Sequence, residues 1–200
     1  MNTLEISQNT SISLRPSVEQ IDRELERLEA IDELKKAVSG TIKNLIVIAA
    51  AAVLITNVLI SVLTVNRSSM TPTLQDGDVV IALKLFGVSH GDIVAFHYNN
   101  KILLKRVIAK SGDWVNISED GTVYVNDEAI DEPYLTAKSL RECNITLPYQ
   151  VPDGSLFVMG DHRSVSADSR LSEIGAVKEE DIAGKVFLRI WPLTRLNYFG

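Results

Sequence analysis

Between Lys43 and Arg67 the chain runs for twenty-three residues without a charged side chain. Leu45 to Val65 is apolar apart from Thr56, Asn57, Ser61 and Thr64. About twenty helical residues cross the hydrocarbon of a bilayer, so residues 42–65 are expected to form a transmembrane anchor. A cleaved signal peptide competes with that reading, but its apolar part is about 7–15 residues long and follows a short basic start. Here residues 1–43 precede the run. Lys35, Lys36 and Lys43 stand before it and only Arg67 follows closely. This charge bias predicts a cytoplasmic N-terminus, a single pass through the cell membrane, and residues 66–200 outside.

The segment ahead of the anchor, residues 1–41, is expected to be a cytoplasmic tail. Residues 1–16 are polar and aperiodic, as in a disordered terminus. Ser17 and Gln20 have the spacing of a capping box, which predicts a helix start. Val18, Ile21, Leu25, Leu28, Ile31, Leu34 and Val38 then recur every three or four residues and predict an amphipathic helix over about 18–38. Two readings stay open for its apolar face: contact with the bilayer or anchor, or a weak coiled coil with a second copy or a partner. Eight acidic against five basic residues in 1–41 oppose simple attraction to anionic lipid.

The formal charge of −6 argues against a nucleic-acid surface, which needs clustered Lys and Arg. A single cysteine, Cys143, excludes an internal disulfide and a thiolate cluster, and the three histidines form no H-E-x-x-H pair. Neither a metal nor an organic cofactor is expected.

Residues 66–200 read as β structure: Asp78–Leu83, Ile93–Tyr98, Ile102–Ile108, Trp114–Ile117, Thr122–Val125, Leu156–Met159 and Lys185–Trp191, divided by Gly-Asp and Asn-rich turns. Asn99-Asn100 predicts a hairpin between the second and third. A looped excursion is expected over about 132–152. The fold class is therefore mainly β, a coiled antiparallel sheet or barrel-like domain behind one apolar helix.

Two fragments carry candidate chemistry. Ser68 and Ser69 follow the anchor directly, and serine attacks a carbonyl only when a neighbour takes its proton. A lysine serves as that neighbour if burial brings its pKa from about 10.4 down to about 7 or 8. Lys105 is the candidate, because the strand period puts it on one face with Leu103 and Val107, with Arg106 opposite. A solvent-facing lysine on an edge strand fits the local sequence equally well. The Thr71-Pro72 step predicts an extended backbone beside the serines. A third fragment, Gly160 to Arg170, offers Ser166 to orient a lysine, and Asp168 and Arg170 as a bracing ion pair.

With these fragments in order, the chain resembles the bacterial type I signal peptidases, membrane-anchored serine endopeptidases with a Ser/Lys dyad. Ser69-Met70-Thr71-Pro72 is similar to the family's nucleophile box, Leu104-Lys105-Arg106-Val107-Ile108 to its lysine box, and Gly160-Asp161 through Arg170 to its third box. The short outer part resembles the compact Gram-positive forms. The resemblance implies Ser69 as nucleophile, Lys105 as general base, Ser166 as its orienting group, Asp168 and Arg170 as supports, and Met70 and Leu104 as lining of the substrate pocket. It implies cleavage after a small-x-small site in secretory precursors that carry signal peptides. The Ser69 amide is one expected oxyanion donor. Arg67 occupies the position where some members place a serine donor, which leaves the second donor unassigned, and His162 stands where members commonly carry Asn. The alternatives are a dedicated processing or pilus-assembly relative, a self-cleaving repressor, and a silent membrane-tethered scaffold on the same fold.

Overall fold

A computed structural model describes residues 17–84, 87–140 and 142–199. The polar terminus expected over 1–16 lies outside them. The chain divides into two compact units at Val53 and Leu54.

Helix α1, Val18–Leu59, opens with the capping box expected from sequence. Ser17 N donates to Gln20 Oε1 at 3.0 Å, and Gln20 N to Ser17 Oγ at 3.3 Å. No break separates the charged segment from the apolar one. Gly40 costs a helix interior only about 1 kcal/mol, which its neighbours absorb, and Thr41 Oγ1 bonds back to Ala37 O at 3.0 Å. The apolar stretch reaches a mean hydropathy of 2.0 and is wholly exposed.

The helix stops at Leu59, short of the expected Val65. Ile60–Thr64 instead forms strand β1, paired antiparallel with β2, Val79–Leu83, in the register Val62 to Ile81. Absence of charge does not distinguish a spanning residue from a strand residue, and the β-branched and apolar side chains of 60–64 suit either.

Strands β3, Ile93–Tyr98, and β4, Lys101–Lys110, form the expected hairpin. Asn99 and Asn100 both take positive φ, 46° and 58°, as its two-residue turn requires. Three further strands follow: β5, Trp114–Ile117; β6, Val123–Val125; and β7, Glu128–Ala129. Then come β8, Tyr149–Gln150; β9, Ser155–Met159; β10, Val177–Lys178; β11, Ile182–Trp191; and β12, Asn197–Tyr198. The main antiparallel sheet runs β1-β2-β11-β3-β4-β9-β10 with β12 beside β11, and a smaller sheet runs β7-β6-β5-β8. Among the described residues the main sheet does not close into a barrel.

Both faces of the central strands are covered. Ile93 and Ala95 of β3 enter one core with Val65, Met70, Leu74 and Leu104. Val94 and Phe96 enter a second, with Val107, Leu156 and Val158. The first core fixes the segment after β1, since Val65, Met70 and Leu74 are each at most 2% exposed. Each such side chain contributes about 1.5–3 kcal/mol.

Candidate active site

Three segments converge on one cleft: the β1–β2 connection, the middle of β4, and the loop after β9. The β1–β2 connection does not run extended beside the serines, as Thr71-Pro72 led us to expect. Thr71 N bonds to Ser68 O at 3.1 Å and Leu74 N to Met70 O at 2.9 Å, so the chain turns. The turn follows from burying Met70 and Leu74 while Ser69 between Ser68 and Met70 stays at the cleft. Arg67 enters it with φ of 75° and its N–H bonded to Asp76 Oδ1 at 2.6 Å. At the far end of the connection the fully buried Asp78 accepts from Arg189 at 3.2 Å and Arg195 at 2.8 Å, which ties it to β11 and the segment after it.

Lys105 is not at an edge. β3 pairs with Lys105 on one side of β4, β9 joins the other side from Arg106 onward, and the residue is 3% exposed. Its Nζ donates to Ser69 Oγ at 2.9 Å and to Leu104 O at 3.0 Å. Burial disfavours the ammonium and lowers the pKa from 10.5 to about 8, although Asp168 and Asp161 pull the other way. The cleft, about 240 Å³, is walled by Val65, Met70, Leu104, Val165 and Ala167, with Ser69 and Lys105 on its surface. Met70 and Leu104 thus both line it. Such walls suit a small side chain presented next to the serine.

The loop after β9 is built on buried charge. Arg170 meets Asp168 through Nε at 2.8 Å and Nη2 at 2.9 Å, as the sequence spacing suggested, and reaches Arg163 O at 2.9 Å. Asp168 Oδ2 also accepts from Gly160 N at 3.0 Å. Gly160 has no room for a side chain: a Cβ there would lie 2.2 Å from Ser166 Oγ and 2.5 Å from Ser69 O. Ser166 is 1% exposed, yet its hydroxyl has no hydrogen-bond partner. The expected Ser166–Lys105 hydrogen bond is therefore not formed; the tight contact with Gly160 sets where Ser166 sits.

Sequence reasoning missed several residues of this site. Arg106, next to Lys105 but on the other face, makes a two-pronged bond to Asp161 at 2.9 and 2.6 Å and stacks on Tyr134 at 3.9 Å. Arg163 pairs with Glu132, both essentially inaccessible to solvent. Only a charged pair hidden between two apolar strand faces hinted at Arg106, and nothing local marks Glu132. His162 N donates to Ser69 O at 3.0 Å, and its ring Nδ1 lies 3.2 Å from Ser68 O. Among the described residues no cluster of His, Cys, Asp and Glu is disposed to hold a metal ion.

A family model described as signal peptidase, peptidase S26, matches residues 38–191. The chain is 39% identical over 155 residues to Signal peptidase IB of Staphylococcus aureus (strain MRSA252), an alignment covering 68% of this chain and 80% of that protein. It is 31% identical over 174 residues to Signal peptidase I of Streptococcus pneumoniae serotype 4, covering 68% and 84%. A solved signal peptidase I from Enterococcus faecalis is similar at 30% identity with a TM-score of 0.41, over 50% of this chain and 97% of that one.

Proposed function

The chain belongs to the signal peptidase family, peptidase S26, and on that premise we propose that it cleaves signal peptides from exported precursors with Ser69 as nucleophile and Lys105 as general base. The observation that carries this reading is the 2.9 Å contact between Lys105 Nζ and Ser69 Oγ in a dry site.

In the neutral form Lys105 accepts the Ser69 hydroxyl proton while Oγ adds to the scissile carbonyl. The tetrahedral oxyanion points at the Ser69 backbone N–H; one aimed donor is worth about 3–4 kcal/mol. Collapse breaks the C–N bond, the Lys105 ammonium protonates the departing amine, and an ester to Ser69 remains. Water then adds to the ester carbon, giving its proton to Lys105; the second tetrahedral species breaks the carbon–Oγ bond, the Lys105 ammonium returns the proton to Ser69 Oγ, and the carboxyl product leaves. The bond from Lys105 to Leu104 O holds the amine against the serine throughout. Ser166 makes no bond to Lys105 in the free site; its unpaired hydroxyl is proposed to accept the remaining ammonium N–H once Lys105 takes up the proton. Asp168 and Arg170 support the loop that carries it.

Met70 and Leu104 are proposed to shape the pocket for the small residue before the cut. The apolar part of α1 fits a membrane anchor. The proposed topology is a cytoplasmic N-terminus with the catalytic unit outside, and residues 18–38, continuous with the spanning part of α1, against a partner or a second copy. Ser69 comes ten residues after Leu59, so the covalent tether keeps it within about 35 Å of the helix end. A silent scaffold on the same fold is the weaker reading, because serine and lysine are both present and in contact.

The test is cleavage of a precursor bearing an Ala-x-Ala site by the full chain in detergent. Ser69→Ala and Lys105→Ala are expected to lose activity by about 10²-fold or more while remaining folded. Undiminished cutting by either variant removes the dyad.

A further inference from the structure

Two consecutive carbonyls at the nucleophile are held by one residue of the opposite loop. His162 N–H takes Ser69 O at 3.0 Å, and the ring Nδ1 takes Ser68 O at 3.2 Å. A carbonyl oxygen only accepts, so Nδ1 carries the hydrogen. Thr71 N–H fills the other lone pair of Ser68 O at 3.1 Å. That second bond comes from within the turn itself; the imidazole is the anchor from outside it.

The Ser68 carbonyl and the Ser69 N–H are the two ends of one peptide group, and the bond between them is not among the cis peptides of the chain. In a planar trans peptide the oxygen and the hydrogen point in opposite directions, so whatever aims one aims the other. Among the described residues the Ser69 N–H donates to no protein acceptor, and Ser69 lines the cleft. We infer that His162 is a positioning residue which, by gripping the Ser68 carbonyl, turns the free Ser69 amide toward the oxyanion formed at the substrate carbonyl. The inference rests on the reading of Ser69 as nucleophile. His162 takes no proton from the substrate in this scheme; it limits the rocking of one peptide plane.

The test uses the full chain in detergent, a precursor peptide with an Ala-x-Ala site, and two ligands: the same sequence truncated at the cut as an aldehyde, and as the unreactive alcohol. Ser69 Oγ adds to the aldehyde carbon as its proton passes to Lys105, leaving a tetrahedral oxyanion, so aldehyde affinity reads the aim of the amide. His162→Leu removes the donor. His162→Gln places its amide nitrogen near Nε2 rather than Nδ1, and His162→Asn places it near Nδ1.

For Leu and Gln, kcat is expected to fall about 10–10²-fold with KM little changed, and aldehyde affinity to fall by a similar factor while alcohol affinity holds. Asn is expected to restore most of both. The midpoint of the kcat–pH profile stays where Lys105 sets it and only the plateau drops. A Gln variant within twofold of wild type overturns the inference. So does an Asn variant as impaired as Gln, or equal losses for aldehyde and alcohol. If His162→Leu does not fold, the Gln and Asn pair decides alone. Ser69→Ala is run alongside: if it is inactive while His162→Gln is fully active, only the His162 inference fails; if it still cuts, both fail.

Discussion

A lysine amine held 3% exposed among strand side chains stores free energy that the fold must supply. Lys105 in the folded chain has its pKa lowered from 10.5 to about 8, chiefly because burial penalises the ammonium. Two consequences follow from one shift. On the proposed dyad, activity is expected to rise as pH passes upward through about 8, where the amine becomes free to accept the Ser69 proton. Stability follows linkage: between about 8 and 10.5 the unfolded chain keeps a proton on this lysine that the folded chain has lost, so stability increases with pH across that window and the full cost is felt below it. The cost is of order 3 kcal/mol. Lys105→Met, of similar length and uncharged, is therefore expected to be inactive yet more stable than wild type at pH 7, by up to about 3 kcal/mol less the two hydrogen bonds it forfeits. The difference in thermal midpoint between variant and wild type should shrink as pH rises from 8 to 10.5; a constant difference would contradict the burial account. That Lys105 would be dry was half legible in the chain. Leu103 and Val107 share its face in the strand pattern, but the exclusion of a solvent edge depends on β9 pairing along β4, which no local pattern announces.

At the scale of elements, the cleft is framed by short connections whose backbones are pinned by buried ion pairs. Glu132 comes from a stretch without any period, and its carboxylate receives both Nη atoms of Arg163. Neither side chain is more than 2% exposed. Arg163 in turn bonds to Gly160 O at 3.0 Å, holding the residue whose added Cβ would meet Ser69 O. Glu132→Ala strands the guanidinium without its counter-charge and is expected to cost about 3–5 kcal/mol, whereas the double change to Glu132→Ala with Arg163→Met is expected to be milder than either single loss implies. Denaturant unfolding of the three variants measures this, and strict additivity would show that the pair is not coupled. The β3–β4 hairpin, the turn residues and the principal strands were readable because alternation and Asn or Gly punctuation are local signals. Two-residue strands such as β7, β8, β10 and β12 carry too few positions for any period. The charge-free residues of β1 read as membrane because hydropathy alone cannot separate the last turn of a span from an apolar strand. Likewise, the ion pairs of Arg106 and Arg163 join residues distant in sequence, and only the folded sheet brings them together.

For the molecule as a whole, the topology is the part of the reading with the sharpest test. A single cysteine in the chain, Cys143, lies half-buried in the connection between β7 and β8. It belongs to residues 66–200, proposed to be extracytoplasmic, while Ser17 begins α1 in the segment proposed to be cytoplasmic, residues 1–41. Lys35, Lys36 and Lys43 before the apolar stretch favour that orientation by holding their side of the anchor inside. A membrane-impermeant maleimide applied to intact cells expressing the chain is therefore expected to label Cys143. In a Cys143→Ser background, Ser17→Cys is expected to react only after the membrane is permeabilised. Cys143 is partly shielded, so labelling of cells and of detergent-solubilised protein should be compared at matched times. The reverse pattern, with the Ser17→Cys variant reactive in intact cells and Cys143 silent until lysis, would place the serine and lysine on the cytoplasmic side. There no exported precursor presents its cleavage site, and the proposed substrate would have to be abandoned even if the dyad proved active on peptides.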